Sequence, residues 1–165
     1  MNTIITTDYY GNKYEVRPEN LAVSIHVYGI AMQDDKLLIL PQHDGYGWPG
    51  GTFKLGEDTV QTLQREFKEE TGFDIEPVKL LDIETNLFHN PRSNRDYHSI
   101  SIFYLVKVVG GKLSDNGFGA NEREYAKLAK WIAFSDLRKM HYAFSIDIAD
   151  KLLDLVQEEN TPSLQ

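Results

Sequence analysis

The chain has 165 residues and no cysteine, with 17 basic against 25 acidic side chains and a net charge of −8. That length holds one domain with a real core and little more, and the missing cysteines exclude disulfides, thiolate zinc sites and cysteine nucleophiles. The negative field disfavours nucleic-acid polymers as partners and repels polyphosphates at long range, so phosphate binding requires metals or a few local cations.

In chain order, residues 3–16 (TIITTDYYGNKYEV) read as two short strands around Gly11-Asn12, closed by Pro18. Residues 21–32 (LAVSIHVYGIAM) form an apolar, β-branched run typical of a central strand, and Gln33-Asp34-Asp35 turns the chain into a second strand over 36–40. A loop over 41–47 precedes an extended segment at 50–55. A helix is predicted from Asp58 to Thr71, with Val60, Leu63 and Phe67 as its buried stripe and Gly72 as a left-handed C-terminal cap. Strand-rich sequence runs from Phe73 to Leu87, a polar loop covers 88–97, and 98–109 is another strong strand ending at Gly110-Gly111. After a polar loop over 114–123, residues 129–134 read as a short strand, Ser135 caps a brief helical turn, and a last helix is predicted over 144–158. The pattern is an α/β chain, a mixed β-sheet between two main helices in an α/β/α sandwich. It forms one domain over 1–165, with an N-terminal hairpin extension over 1–19 and a frayed tail over 159–165.

The chemistry concentrates in the predicted helix. Glu66, Glu69 and Glu70 recur at i, i+3 and i+4, which places three carboxylates in one narrow sector of a helix. Like charges at that spacing weaken a helix by a few tenths of a kcal/mol. A hard divalent cation gives the cluster a purpose, because Mg²⁺ takes oxygen ligands, keeps some waters and is commonly completed by substrate phosphates.

The stretch from Gly51 to Phe73 resembles the Nudix family of pyrophosphohydrolases. Gly51, Glu57, Arg65, Glu66, Phe67, Glu69, Glu70, Gly72 and Phe73 fill every defined position of G-x5-E-x7-R-E-U-x-E-E-x-G-U, where U is bulky and apolar. The resemblance covers most of the chain, from about residue 21 to 157, and implies the same sandwich fold. It implies Mg²⁺ (or Mn²⁺) as cofactor, with Glu66, Glu69 and Glu70 as core ligands, Glu57 as an accessory or water-mediated ligand, and Arg65 orienting the glutamates through ion pairs. Lys54 stands where many members carry a further glutamate. The general base is left between a box glutamate and a loop glutamate ahead of the Trp131 strand, Glu124 in preference to Glu122.

Tyr46, Trp48, Gly50 and Gly51 resemble the aromatic-x-apolar-Pro-Gly-Gly approach of the family and are candidates for substrate contact; stacking on a base competes with burial for both aromatics. Arg92 and Arg95, in the predicted 88–97 loop, are candidates for a phosphate or ribose, and His43 lies where many relatives carry a basic residue. Pro91 stands near, not at, the position where some relatives that hydrolyse ADP-ribose carry a proline. The expected substrate is a nucleoside diphosphate linked to another group: a nucleoside triphosphate, an oxidised nucleotide, ADP-ribose or a nucleotide sugar. A non-catalytic nucleotide-sensing module is the alternative; the retained glutamates argue against it, and the missing cysteine argues against the isomerase branch of the superfamily. The N-terminus (MNTIITTDYY) has neither a basic start nor an apolar run, and no stretch is long and apolar enough to cross a bilayer. A cytoplasmic protein is therefore expected, without membrane association. The N-terminal hairpin, as a sheet edge, could pair with a second subunit in a homodimer.

Overall fold

The computed structural model describes residues 2–43, 45–119, 122–137, 139–140 and 151. Its frame is β3 (Ala22–Gln33) lying parallel to β8 (Arg95–Gly111), with Ala22 opposite Tyr97 and Ala31 opposite Val106. On its other side, β3 is shared by two partners. Its middle pairs with the short β6 (Gly50–Thr52), and its end turns through Asp34-Asp35 into β4 (Lys36–Gln42). Both aspartates take positive φ, 48° and 57°, as a two-residue hairpin turn matched to strand twist requires. β4 in turn pairs with β5 (Gly45–Gly47) and β9 (Lys130–Ala133), and the brief α2 (Phe134–Leu137) follows β9.

Beyond β8 runs β7 (Phe73–Asn90), antiparallel to it along its whole length. Register shifts at Asp74/Ile75, Pro77/Lys79 and Leu80/Asp82 bend this long ribbon, and Pro77, which cannot donate to a ladder, sits at one of them. The polar loop predicted over 88–97 is therefore corrected: cross-strand pairing continues through Asn90 and Arg95, leaving only a four-residue turn in which Asn94 has φ 50°. The predicted loop over 41–47 is likewise mostly strand, and the extension expected at 50–55 pairs only as far as Thr52.

The N-terminal hairpin, β1 (Ile4–Thr7) and β2 (Lys13–Val16), adds to the far side of β7 through Thr7 and Phe88. β1 is thus spent on its own chain, and β2 ends the strand order. The helix α1 (Thr59–Thr71) starts at a reciprocal cap: the Gln61 amide donates to Asp58 at 2.8 Å, and the Asp58 amide donates to the Gln61 side chain at 2.9 Å. It stops at Gly72, φ 76°, whose N–H donates to the Lys68 carbonyl. The last helix predicted over 144–158 lies outside the described residues except for Lys151, which pairs with Asp82 and Glu84. The predicted tail lies outside them as well.

Alternation along β4 divides the core into two faces. Leu38 and Leu40 join Val27, Leu63 and Phe67 beneath α1, while Leu37 and Ile39 join Ile30, Trp48 and Phe103 on the opposite face. Close approach of helix and sheet depends on Gly29, where a Cβ would stand 2.7 Å from the Phe67 ring. Val60, the third residue of the predicted stripe, is only half-buried.

Candidate active site

α1 lies on one face of the sheet, but its carboxylates reach a cavity on the other. Val27 points toward α1, so its neighbours His26 and Tyr28 face away from it and form part of that cavity's floor. The passage is made by glycines at the start of β6. A Cβ on Gly51 would come within 2.7 Å of the Glu66 carboxylate. The Gly50 amide, in a backbone of φ 144°, donates to Glu70 Oε2 at 2.7 Å. These two glycines therefore seat carboxylates. The cavity beyond them holds about 1320 Å³ and is lined by Glu66, Glu69 and Glu70 together with Tyr46, Trp48, Lys54 and Arg92.

Arg65 ties the cluster together. Its Nε and Nη2 donate to the two oxygens of Glu57 at 2.7 and 2.8 Å, a bidentate grip, and its Nη1 donates to Glu66 at 2.5 Å and to Glu69 at 3.4 Å. The Thr62 hydroxyl also donates to Glu57 at 2.9 Å. The Arg65 hydrogen bond is the main reason that the Glu57 carboxyl is held down at about 2. Glu66 behaves oppositely: burial raises its pKa, and Arg65 only partly offsets that. Tyr28 is raised by burial and by the nearby charges of Glu70 and Glu66. Burial lowers the pKa of His26, favouring the neutral ring; the ring lies 3.1 Å from the Ser24 hydroxyl.

Three carboxylates thus share one guanidinium, a fourth is held by a backbone amide, and Lys54 is a further nearby cation. An all-oxygen set with surplus negative charge suits a hard divalent ion. Among the described residues no three acidic or histidine side chains converge on one point as a finished cage, since Arg65 holds Glu66 and the Gly50 amide holds Glu70.

Of the other sequence candidates, Trp48 is 4% exposed and packs into the core while also lining the cavity. Tyr46 is half-buried, with the Lys130 ammonium 5.0 Å from its ring centre. Arg92 reaches the cavity; Arg95 does not and lies over Tyr97 at 5.8 Å. Glu124 is exposed on a short 3₁₀ turn outside the lining, and its neighbour Tyr125 is the residue of that segment that enters.

A profile of the NUDIX domain matches residues 21–152. The chain belongs to the NUDIX family. An ADP-ribose pyrophosphatase of Methanocaldococcus jannaschii is 32% identical to it over 110 residues, 64% of this chain and 62% of that protein. The chain thus spans less than two thirds of that relative's length. The crystal structure of an ADP-ribose pyrophosphatase from Streptococcus suis superposes with a TM-score of 0.59 at 19% identity, covering 86% of this chain and 96% of the other. A NUDIX hydrolase from Nitrosomonas europaea gives 0.58 at 21% identity, covering 87% and 97%. At these identities the structural matches establish the shared fold.

Sequence reasoning missed the N-terminal contribution to this NUDIX cavity. Tyr9 and Tyr10 line it from the β1–β2 loop. The signal was present, since adjacent tyrosines are unusual at a hairpin tip, where small polar residues are the rule.

Proposed function

We propose that the chain is a divalent-metal-dependent pyrophosphohydrolase acting on a nucleoside diphosphate linked to a second group, with ADP-ribose the first substrate to test. The observation that carries this reading is the entry of Glu66, Glu69 and Glu70 into one deep cavity that aromatic side chains continue. The ADP-ribose pyrophosphatase similarity of the M. jannaschii relative favours that substrate among the alternatives. Mg²⁺ or Mn²⁺, held by Glu66, Glu69 and Glu70, would neutralise phosphate oxygens and acidify an attacking water.

The remaining work falls to the chain itself. Arg65 fixes the rotamers of Glu57, Glu66 and Glu69, and the Gly50 amide fixes Glu70. Lys54 supplies a local cation in a protein whose overall field repels phosphate. Among the described residues Glu69 pairs only with Arg65, at 3.4 Å, and its side chain is 39% exposed, so its carboxylate is the box candidate best placed to accept a proton from water. Glu124 remains the loop candidate for that role.

The test is incubation with Mg²⁺ and a panel of ADP-ribose, canonical nucleoside triphosphates and 8-oxo-dGTP in ¹⁸O-water, with the products read by mass. Release of a labelled monophosphate from ADP-ribose is the expected result. A panel without any monophosphate product, with either metal, would remove the hydrolase reading.

A further inference from the structure

The NUDIX match begins at residue 21, yet one wall of the cavity comes from residues before it. The loop joining β1 and β2 is wired by a single carboxylate. Asp8 accepts from the Tyr10 and Asn12 amides, each at 2.9 Å, and from the Asn12 side-chain amide and the Tyr14 hydroxyl, each at 3.0 Å. The hairpin is then docked onto the end of the β7–β8 ribbon. The Thr6 hydroxyl donates to Asp96 at 2.5 Å, and Tyr14 stacks on His89 at 3.7 Å. A loop held this firmly presents its tyrosines in a fixed direction.

That direction is into the cavity. Tyr9 stacks on His43 at 4.6 Å, and His43 stacks on Tyr125 at 4.7 Å with planes only 3° apart. The Arg92 guanidinium lies 4.5 Å from the centre of the Tyr125 ring, and its charge partly offsets the rise that burial imposes on the Tyr9 pKa. His43 itself takes a left-handed backbone, φ 53°, and its amide donates to the Tyr125 carbonyl at 2.8 Å. Such a conformation is costly for a residue with a Cβ and persists where surrounding structure enforces it. Four segments distant in sequence thus converge on one aromatic and cationic surface. Tyr10, edge-on to Tyr9 at 4.9 Å, leaves 65% of itself exposed beside it.

We propose that the Asp8–Asn12 loop is a substrate-specificity element, in which Tyr9 and Tyr10, backed by His43, Tyr125 and Arg92, form the wall against which a planar nucleobase stacks. The assignment rests on the hydrolase reading for the rest of the substrate, whose diphosphate would lie toward Glu66 and Glu70 in the same cavity. Aromatic faces suit a base because every base has a π-face. The Arg92 guanidinium adds donors for ring nitrogens or carbonyls.

Binding is measured by NMR titration of the full-length protein in EDTA with AMP and, separately, with ribose 5-phosphate, which lacks the base. Wild type should bind AMP more tightly than ribose 5-phosphate. Tyr9→Ala should weaken AMP about ten-fold and leave ribose 5-phosphate unchanged, and Tyr9→Phe should restore most of the AMP affinity by keeping the ring. In turnover, Tyr9→Ala should raise KM for nucleotide substrates with kcat little changed. Equal affinity of Tyr9→Ala and wild type for AMP overturns the proposal. So does equal loss of both ligands, which marks general collapse of the hairpin, or a wild type that does not prefer AMP. If the substrate panel yields no product while AMP binding still depends on the Tyr9 ring, the hydrolase reading fails and the base wall stands.

Discussion

Glu70 and Glu57 belong to one acidic cluster and differ in what holds them. Glu70 lines the cavity and is oriented by a backbone amide, so Glu70→Gln keeps the shape and removes the charge. Its kcat should fall by about 10²-fold or more with the fold intact by circular dichroism; full turnover would remove Glu70 from the chemistry. Glu57 is bound at both oxygens by Arg65 and Thr62, which makes it chiefly an anchor for the arginine. Its carboxyl is held down at about 2 from an ordinary 4.5, so its stabilising contribution is complete above about 4.5 and is lost as pH falls toward 2. Glu57→Gln should therefore flatten the dependence of Tm on pH across that window. An unaltered slope would show that Arg65 does not hold Glu57 in solution. The grouping of Glu66, Glu69 and Glu70 was legible because helical spacing is local and needs no tertiary knowledge. The ion-pairing of Arg65 was expected from the family resemblance alone, and the seating of carboxylates by the two glycines was not legible, because it depends on how closely β6 approaches α1.

At the scale of elements, α1 is defined at both ends by its own sequence. The cap at Asp58 and the left-handed stop at Gly72 follow from residues within a turn of each end. Gly72 carries a second constraint, since a Cβ there would press on the Lys112 carbonyl and lie 2.9 Å from the Ser114 Cβ. Gly72→Ala should cost at least about 1 kcal/mol, through the left-handed backbone and that crowding. A drop in Tm of a few degrees checks it; an unchanged Tm would mean that the 110–114 strand end yields freely. The reading of β7 and β8 failed where polar composition outweighed pairing. Asn90 and Arg95 look like loop residues, yet each is placed by cross-strand partners along a ribbon that turns only over 91–94.

For the molecule as a whole, the sheet was legible in outline and the cavity was not. Apolar runs identified β3, β4 and β8, since burial on both faces leaves a strong mark on composition. The meeting of Tyr9, His43, Arg92 and Tyr125 depends on docking of β1 against β7 and of the 122–127 segment against β4, which no local pattern records. On the proposed reading, surplus negative charge in the site and a net charge of −8 would draw divalent cations to the folded protein. Mg²⁺ at 100 times its dissociation constant should stabilise the fold by about 2.7 kcal/mol, raising Tm by roughly 5–10 °C. The shift should be much smaller in Glu66→Gln. Equal shifts in both proteins would place the ion elsewhere.

The three-pronged grip of Arg65 has one more outcome. On the proposed reading, an ion held by Glu66 would compete with a guanidinium 2.5 Å from one of its two oxygens, which would lower the net gain of binding. Occupancy would then follow the ambient supply of the ion. The arginine is itself a resident counter-charge that eases self-repulsion among the helix glutamates.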